Sequence, residues 1–297
     1  MRVLIFFLTT FFCLAGSSVF ADDAWFVDTR RGVEVARLDD NCKWRTSSID
    51  DLLKSHNPEK PLVIVAHGYK MTYPEAKQFG IDFSRLTRRF GEHRFLFWSW
   101  DSAKESCGIK TDTLRAGQKA DASAIHLTGF LKQLKPKSKV ALIGFSYGTR
   151  LICTSLQQLA TESLQLTSEP NNFNGSDNVS SLRIRLVLLA AAIDQDQFQN
   201  GKKFSNVLSI TDKVLVNINS ADPALLLYPL LKNIKSPRAV GRSGIDTLNM
   251  PKDIKSKINS VNVRPEIGID HTFNSSFHAL IERQGEFKKY ALFADEQ

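Results

Sequence analysis

Four cysteines in 297 residues leave little material for a disulfide scaffold, and neither Cys-x-x-Cys nor His-Glu-x-x-His occurs. The usual sequence signs of a structural or hydrolytic metal site are therefore missing. Neither G-x-G-x-x-G nor a P-loop is present, which removes the common cradles for dinucleotides and nucleoside triphosphates. Beyond the N-terminus no stretch is long and apolar enough to span a bilayer. Repeats with a period of about 20–50 residues are absent as well, which excludes a solenoid or propeller. What is there is ordinary: 42% hydrophobic and 24% charged residues suit a folded globular protein rather than a disordered or fibrous one.

Residues 1–21 read as an export signal. Arg2 gives the positive start, residues 3–14 a mostly apolar core, and Val19-Phe20-Ala21 an A-x-A-like cleavage site. A membrane span needs roughly 20 apolar residues, and this core is shorter and broken by Thr9 and Thr10. The expected product is one domain, residues 22–297, periplasmic or extracellular, with no stable membrane span. The net charge of +8 falls by one with Arg2. So mild a basic excess favours loose contact with acidic surfaces and names no partner. Export permits one disulfide among Cys42, Cys107 and Cys153. Cys42 and Cys107 flank polar, loop-like segments and form the expected pair. Cys153, in the apolar run Leu151-Ile152-Cys153, is expected as a buried free thiol.

Strand-like apolar runs alternate with helical stretches, the pattern of a mostly parallel sheet covered by helices on both faces. The runs are residues 61–66, 94–100, 139–144, 186–192 and 213–218, with a weaker last one at 260–263. Helices are expected over residues 76–90, 113–134 and 147–164. The second carries Ala116, Ala120, Ala124, Leu127, Leu131 and Leu134 at the three- and four-residue steps of one face. Residues 24–48 are expected to add two antiparallel edge strands. Residues 161–181, with Pro170-Asn171-Asn172 and Asn174-Gly175-Ser176, read as a polar surface loop.

Gly144-Phe145-Ser146-Tyr147-Gly148 matches G-x-S-x-G. The pentapeptide alone is common, and an ordinary Gly-Ser turn would also produce it. Its position matters more: it ends an apolar strand and begins a helix, the strand-turn-helix setting of a nucleophile elbow. The turn lifts the Ser146 hydroxyl above the sheet, glycines on either side avoid clashes, and the following helix points its positive end at the site. His67-Gly68-Tyr69 follows the earlier strand at 61–66, where such a turn supplies an oxyanion-hole amide. The expected donors are the backbone N–H groups of Tyr69 and Tyr147, with His67 in a structural role.

Chain order Ser, Asp/Glu, His then asks for an acid and a histidine further on. Asp222 lies just beyond the strand at 213–218, and Asp194 beyond that at 186–192. Either aspartate could simply cap a helix, and Pro223 after Asp222 fits a cap well. Asp222 is favoured by its place in the strand order, with Asp194 the alternative acid. Of six histidines only His271 and His278 follow the acid. His271 precedes a helix expected to start at Asn274 or Ser275, and so sits in a loop that can reach the serine. His278 falls inside that helix.

These residues resemble the uncharacterised bacterial α/β-hydrolases of the broad lipase–esterase superfamily. The resemblance is carried by His67-Gly68-Tyr69, Trp98-Ser99-Trp100, Ser146-Tyr147-Gly148-Thr149-Arg150, residues 219–225 and His271-Thr272-Phe273, in that order. Two positions depart from the pattern: Phe145 stands where histidine is frequent, and Asp101 where proline is. The resemblance implies an α/β-hydrolase fold, a mostly parallel central sheet with helices on both faces. It also implies Ser146, Asp222 and His271 as nucleophile, acid and base, with no cofactor.

The expectation is an exported serine hydrolase acting on a small-molecule or lipid-like acyl substrate. A short polar loop at 161–181 would leave the site open, and residues 225–231 would wall it with apolar side chains. The competing expectation is an inert binding or surface protein with the same fold, told apart by a Ser146–His271 separation too long for a hydrogen bond. A nucleic-acid partner is not expected: Lys132, Lys135, Lys137 and Lys139 precede the strand leading to Ser146, at the opposite end of the sheet, and lack interleaved aromatics.

Overall fold

The computed structural model describes residues 23–105, 108–168, 182–232 and 237–296. The expected signal at 1–21, Cys107 and residues 169–181 of the polar stretch lie outside them. Three strands open the described chain: β1 (Ala24–Asp28), β2 (Glu34–Leu38) and β3 (Trp44–Ser47). Then come α1 (Ile49–Lys54), β4 (Leu62–Ala66), α2 (Tyr73–Arg88), β5 (Arg94–Ser99) and α3 (Ile109–Lys132). β6 (Lys139–Phe145), α4 (Tyr147–Ser168), β7 (Arg183–Leu189), β8 (Lys213–Ile218) and α5 (Pro223–Lys232) follow. Short helices α6 (Val240–Ser243) and α7 (Lys252–Ser256) lead to β9 (Ile258–Asn262), then α8 (Arg264–Ile267), α9 (Phe273–Glu282) and α10 (Gln284–Ala291).

The strands form one sheet in the order β3-β2-β1-β5-β4-β6-β7-β8-β9. Every pairing from β1 through β9 in that order is parallel, and β2 and β3 are attached antiparallel. Residues 24–48 thus make three strands rather than two edge strands. β1 is interior, because Ala24-Trp25-Phe26-Val27 is buried throughout and pairs in register with β5. The strand runs LVIVA and KVALIGF are buried on both faces, as parallel strands between helical layers must be. Each fully buried Val, Leu or Ile contributes about 1.5–3 kcal/mol.

Local chemistry sets the helix ends. Thr72 and Glu75 form a reciprocal capping box at the start of α2, with a proline in the first turn. α3 begins at Ile109, earlier than the apolar periodicity indicates. Its small face of Ala116, Ala120 and Ala124 is buried where it packs along α4. Across that contact Arg150 donates two hydrogen bonds to Asp121, which also accepts from Thr154 and Lys203. α4 continues to Ser168, so residues 161–168 are helix rather than loop. Cys153 is buried inside it and its thiol is pushed up by burial. Cys42, the other described cysteine, is a free, half-buried thiol.

The chain runs from β4 to its neighbour β5 on one side, then crosses to β6 on the other. The strand order therefore reverses around β4, and crevices at such switch points open at the carboxyl ends of the strands. The loops carrying His67, Ser146, Asp194, Asp222 and His271 all leave that end of the sheet.

Candidate active site

Ser146 occupies a one-residue turn between β6 and α4 with φ 51°, a left-handed conformation uncommon outside glycine. Three backbone contacts hold it there. Its N–H donates to Leu189 O at 2.9 Å, and its carbonyl accepts from Thr149 N at 3.1 Å and Ala192 N at 3.4 Å. Two glycines make the turn possible. A Cβ on Gly144 would stand 2.6 Å from Thr149 Cα, and one on Gly148 would stand 2.3 Å from Ala66 O. The elbow thus rests directly on the end of β4.

That end is built around His67. Its ring is fully buried, and burial pushes its pKa down to about 3, so it is neutral. Trp100 N–H donates to His67 Nε2 at 3.2 Å, which leaves the proton on Nδ1 to donate to Gly68 O at 2.8 Å. Trp100 Nε1–H donates to His67 O at 2.8 Å, and the imidazole is stacked between Phe97 and Trp100. His67 therefore ties the turn after β4 to the end of β5 and presents no free nitrogen to the pocket. The turn lies against the elbow: a Cβ on Gly68 would meet Phe145 Cδ1 at 2.8 Å and Ser146 Cβ at 3.1 Å. Tyr69 follows, its ring edge-on to Tyr147 at 6.5 Å. Tyr147 is the first residue of α4, where a backbone N–H has no acceptor inside the helix.

His271 stands over the elbow. Its Nε2 is 3.3 Å from Ser146 Oγ, and its Nδ1–H donates to Asp222 Oδ2 at 2.5 Å. Asp222 is buried, whereas the His271 side chain is one-fifth exposed. The other oxygen of the same carboxylate, Oδ1, accepts from Leu225 N at 3.1 Å in the first turn of α5. The Asp222 carboxylate therefore contacts both elements, one oxygen on the imidazole and one on the helix. Asp194, the alternative acid, lies elsewhere: it faces the hydroxyl of Tyr228 and the charge field of Tyr147, and together with burial it raises the Tyr228 phenol. His278 is exposed on α9.

The loop bearing His271 is fixed by groups that residue type alone does not reveal. Asn219 Nδ2 donates to Gly268 O at 2.9 Å, while its Oδ1 accepts from Ala221 N at 3.0 Å. One buried amide thus spans the acid loop and the histidine loop. Thr272, rather than Asn274 or Ser275, caps α9, which begins at Phe273. Phe145 packs against both His271 and Phe273, with centroids 5.2 and 5.5 Å apart. Aromatic area here covers the side of the imidazole away from solvent.

A pocket of about 320 Å³ opens in front of Ser146 and His271. Phe145, Ala192, Ala224 and Leu225 give it an apolar floor, and Tyr69, Lys70 and Thr113 part of its rim. Of the expected apolar wall at 225–231, Leu225 and Tyr228 line the pocket, while Leu226 and Leu227 point to solvent. Helical spacing explains this, since residues 225 and 228 share a face. Among the described residues no cluster of histidine, cysteine and carboxylate side chains is arranged to hold a metal ion, and no helix is long and apolar enough to cross a membrane.

Comparison with known proteins adds a family. The profile of a family described as alpha/beta hydrolase of unknown function (DUF900) matches residues 44–242. Curated protein sequences give no match. Among solved structures, an acetylxylan esterase is similar at 10% identity and a TM-score of 0.37, covering 80% of this chain and 98% of its own. Zea mays acyl-protein thioesterase 2 is similar at 13% identity and a TM-score of 0.36, covering 76% and 93%.

Proposed function

The chain belongs to this α/β-hydrolase family of unknown function, and from that premise we propose that it is an exported serine hydrolase cleaving an ester or related acyl bond. The observation that carries the reading is the continuous chain Asp222 Oδ2, His271, Ser146 Oγ, with separations of 2.5 and 3.3 Å on a left-handed serine. A 3.3 Å contact in a ligand-free site is within reach of a proton transfer, since such bonds tighten when substrate binds. It counts against the inert reading.

In the proposed reaction His271 Nε2 takes the proton of Ser146 Oγ as the oxygen bonds to the acyl carbon. Asp222 keeps Nδ1 protonated and offsets the imidazolium charge. The Tyr69 and Tyr147 N–H groups receive the carbonyl oxygen as it becomes an oxyanion, each such donor contributing about 3 kcal/mol to the transition state. The acyl–oxygen bond then breaks and the departing alkoxide takes the proton from His271. Water repeats the sequence on the acyl-serine, so ester and water become acid and alcohol and Ser146 regains its proton. None of these steps calls for a cofactor. A pocket of about 320 Å³ suits a small acyl or alcohol group better than a long lipid chain.

The test is covalent labelling with a fluorescent fluorophosphonate. Wild type is expected to label and Ser146→Ala to stay dark; an unlabelled, folded wild type would return the chain to the inert class. Export and removal of residues 1–21 are tested separately, by N-terminal sequencing of the protein recovered outside the cytoplasm.

A further inference from the structure

Lys70 stands at the rim of the pocket, two residues past the Gly68 turn, in a conformation that lysine adopts rarely. Its φ is 71°, in the left-handed region that glycine occupies at no steric cost. The backbone is pinned there from both sides. Lys70 N–H donates to Ser102 O at 2.8 Å, and Met71 N–H donates to Ser102 Oγ at 3.2 Å. Strained backbone of this kind clusters at active sites and ligand clamps. Here the side chain carries an ammonium over the Tyr69 ring, 5.3 Å from its centroid.

The charges around it are unevenly shared. No carboxylate contributes to the pocket lining, which holds Lys70 and His271 as its ionisable nitrogen groups. Three acids lie close by without lining the pocket. Asp112 acts on the Tyr69 hydroxyl, Asp194 on that of Tyr228, and Glu105 pairs with Arg115 and Lys119. Among the described residues Lys70 forms no ion pair, its ammonium having the ring contact alone. Within the lining itself, among the described residues, Lys70 is the one lysine or arginine, and no carboxylate stands there beside it.

We infer that Lys70 selects substrates carrying an anionic group, a carboxylate or phosphate, a few bonds from the scissile carbonyl. The inference rests on the acyl-transfer reading and adds the substrate class. The covalent steps are unchanged; Lys70 acts on binding and on the orientation of the substrate, not on the transferred proton.

Two matched ester pairs test it with the full chain. Nitrophenyl valerate and mono-nitrophenyl glutarate differ by a carboxylate at the end of the acyl group. Phenyl acetate and acetoxybenzoate differ by one on the alcohol. Wild type is expected to prefer the anionic member of at least one pair in kcat/KM. Lys70→Ala should cut that preference about fivefold, through the KM of the anionic member. Lys70→Arg should keep the preference and Lys70→Glu should invert it. Salt at about 1 M, where the Debye length is about 3 Å, should compress it. A preference unaltered in Lys70→Ala, or absent from both pairs in wild type, overturns the inference. If wild type neither labels nor turns over any ester, the acyl-transfer reading fails by itself. Calorimetric binding of mono-nitrophenyl glutarate to Ser146→Ala, with and without Lys70→Ala, then decides the inference: loss of binding with Lys70 upholds it, and equal or no binding to both overturns it.

Discussion

The two ends of the sheet both bury polar groups, and they use them in opposite ways. At the amino ends of the strands most buried polar groups are tied down, Arg185 Nε and His56 Nδ1 being without a hydrogen-bond partner among the described residues. Arg94 donates to the Asp23 carboxylate at 2.9 Å and to the carbonyls of Leu52 and Ser55 at 2.9 and 2.8 Å. Arg185, fully buried on β7, pairs with Asp295 and Glu296, reaches Lys289 O, and lies 4.1 Å over Phe293. Even the lysines before β6 are partly engaged, Lys132 with Glu162 and Lys135 with His56 O. At the carboxyl ends the backbone is held in left-handed turns at Lys70, Ser146 and Ala190, and the Ser146 hydroxyl, the His271 imidazole and the Lys70 ammonium face a cavity. One end spends its polar chemistry on holding the C-terminal segment and the strands together. The other keeps polar atoms available beside a cavity; left-handed turns do not separate the two ends, since Lys137 and Phe293 adopt them at the amino end.

Substitutions can break this contrast. The largest effect belongs to Ser146→Ala, expected to remove ester turnover by at least about 10³-fold with an unchanged thermal midpoint; steady-state kinetics beside thermal unfolding would check both halves. Next comes Arg185→Ala, the mirror case. It should cost about 3 kcal/mol of stability by dismantling a buried ion-pair cluster, leaving turnover per folded molecule intact, as read by urea unfolding and by activity well below the transition.

Acid should act on both ends at once. Burial is the main reason His56 and His67 are depressed, to about 4 and about 3, with Arg94 and Lys135 adding to the effect at His56. In the unfolded chain each takes a proton near pH 6.5, so between there and the folded values the unfolded state binds more protons. Stability is full above about pH 6.5 and falls as pH drops towards 4, by about 2 kcal/mol per histidine at pH 5. Urea unfolding at pH 7 and pH 5 should show that loss, and His56→Gln should remove its share. The smallest effect is expected from Asn219→Ala, which touches neither the serine nor the pocket. Loosening the histidine loop should lower kcat about tenfold and leave KM nearly constant.

The sequence made the sheet interior legible because parallel strands covered on both faces are written as unbroken apolar runs. It also exposed the elbow, since a glycine on each side of a serine between strand and helix has few other uses. The N-terminal strands were harder to read. β2 and β3 alternate or expose their residues, and that polar texture masked the buried run 24–27 that makes β1 interior. Residues 161–168 look polar yet continue the helix, with 161–163 half-buried and Leu164 and Gln165 exposed. Asn219 and His67 were visible as parts of recurring segments. Their work, a bridge between loops and a neutral buried clasp, depends on partners from 32 to 49 residues away that no local pattern encodes. Lys70 gave no signal at all, since its unusual backbone follows from contacts with Ser102.

The forked carboxylate of Asp222 links two motions that would otherwise be independent. A helix whose first turn frays loses its grip on Oδ1, and the freed group can then rotate about its own bond and carry Oδ2 out of line with the imidazole. Leu225, in that first turn, and Tyr228, one turn further on, line the pocket. A ligand lodged against that surface discourages the fraying and so holds the imidazole upright over the serine. Pocket surface and imidazole are thereby joined through a single side chain.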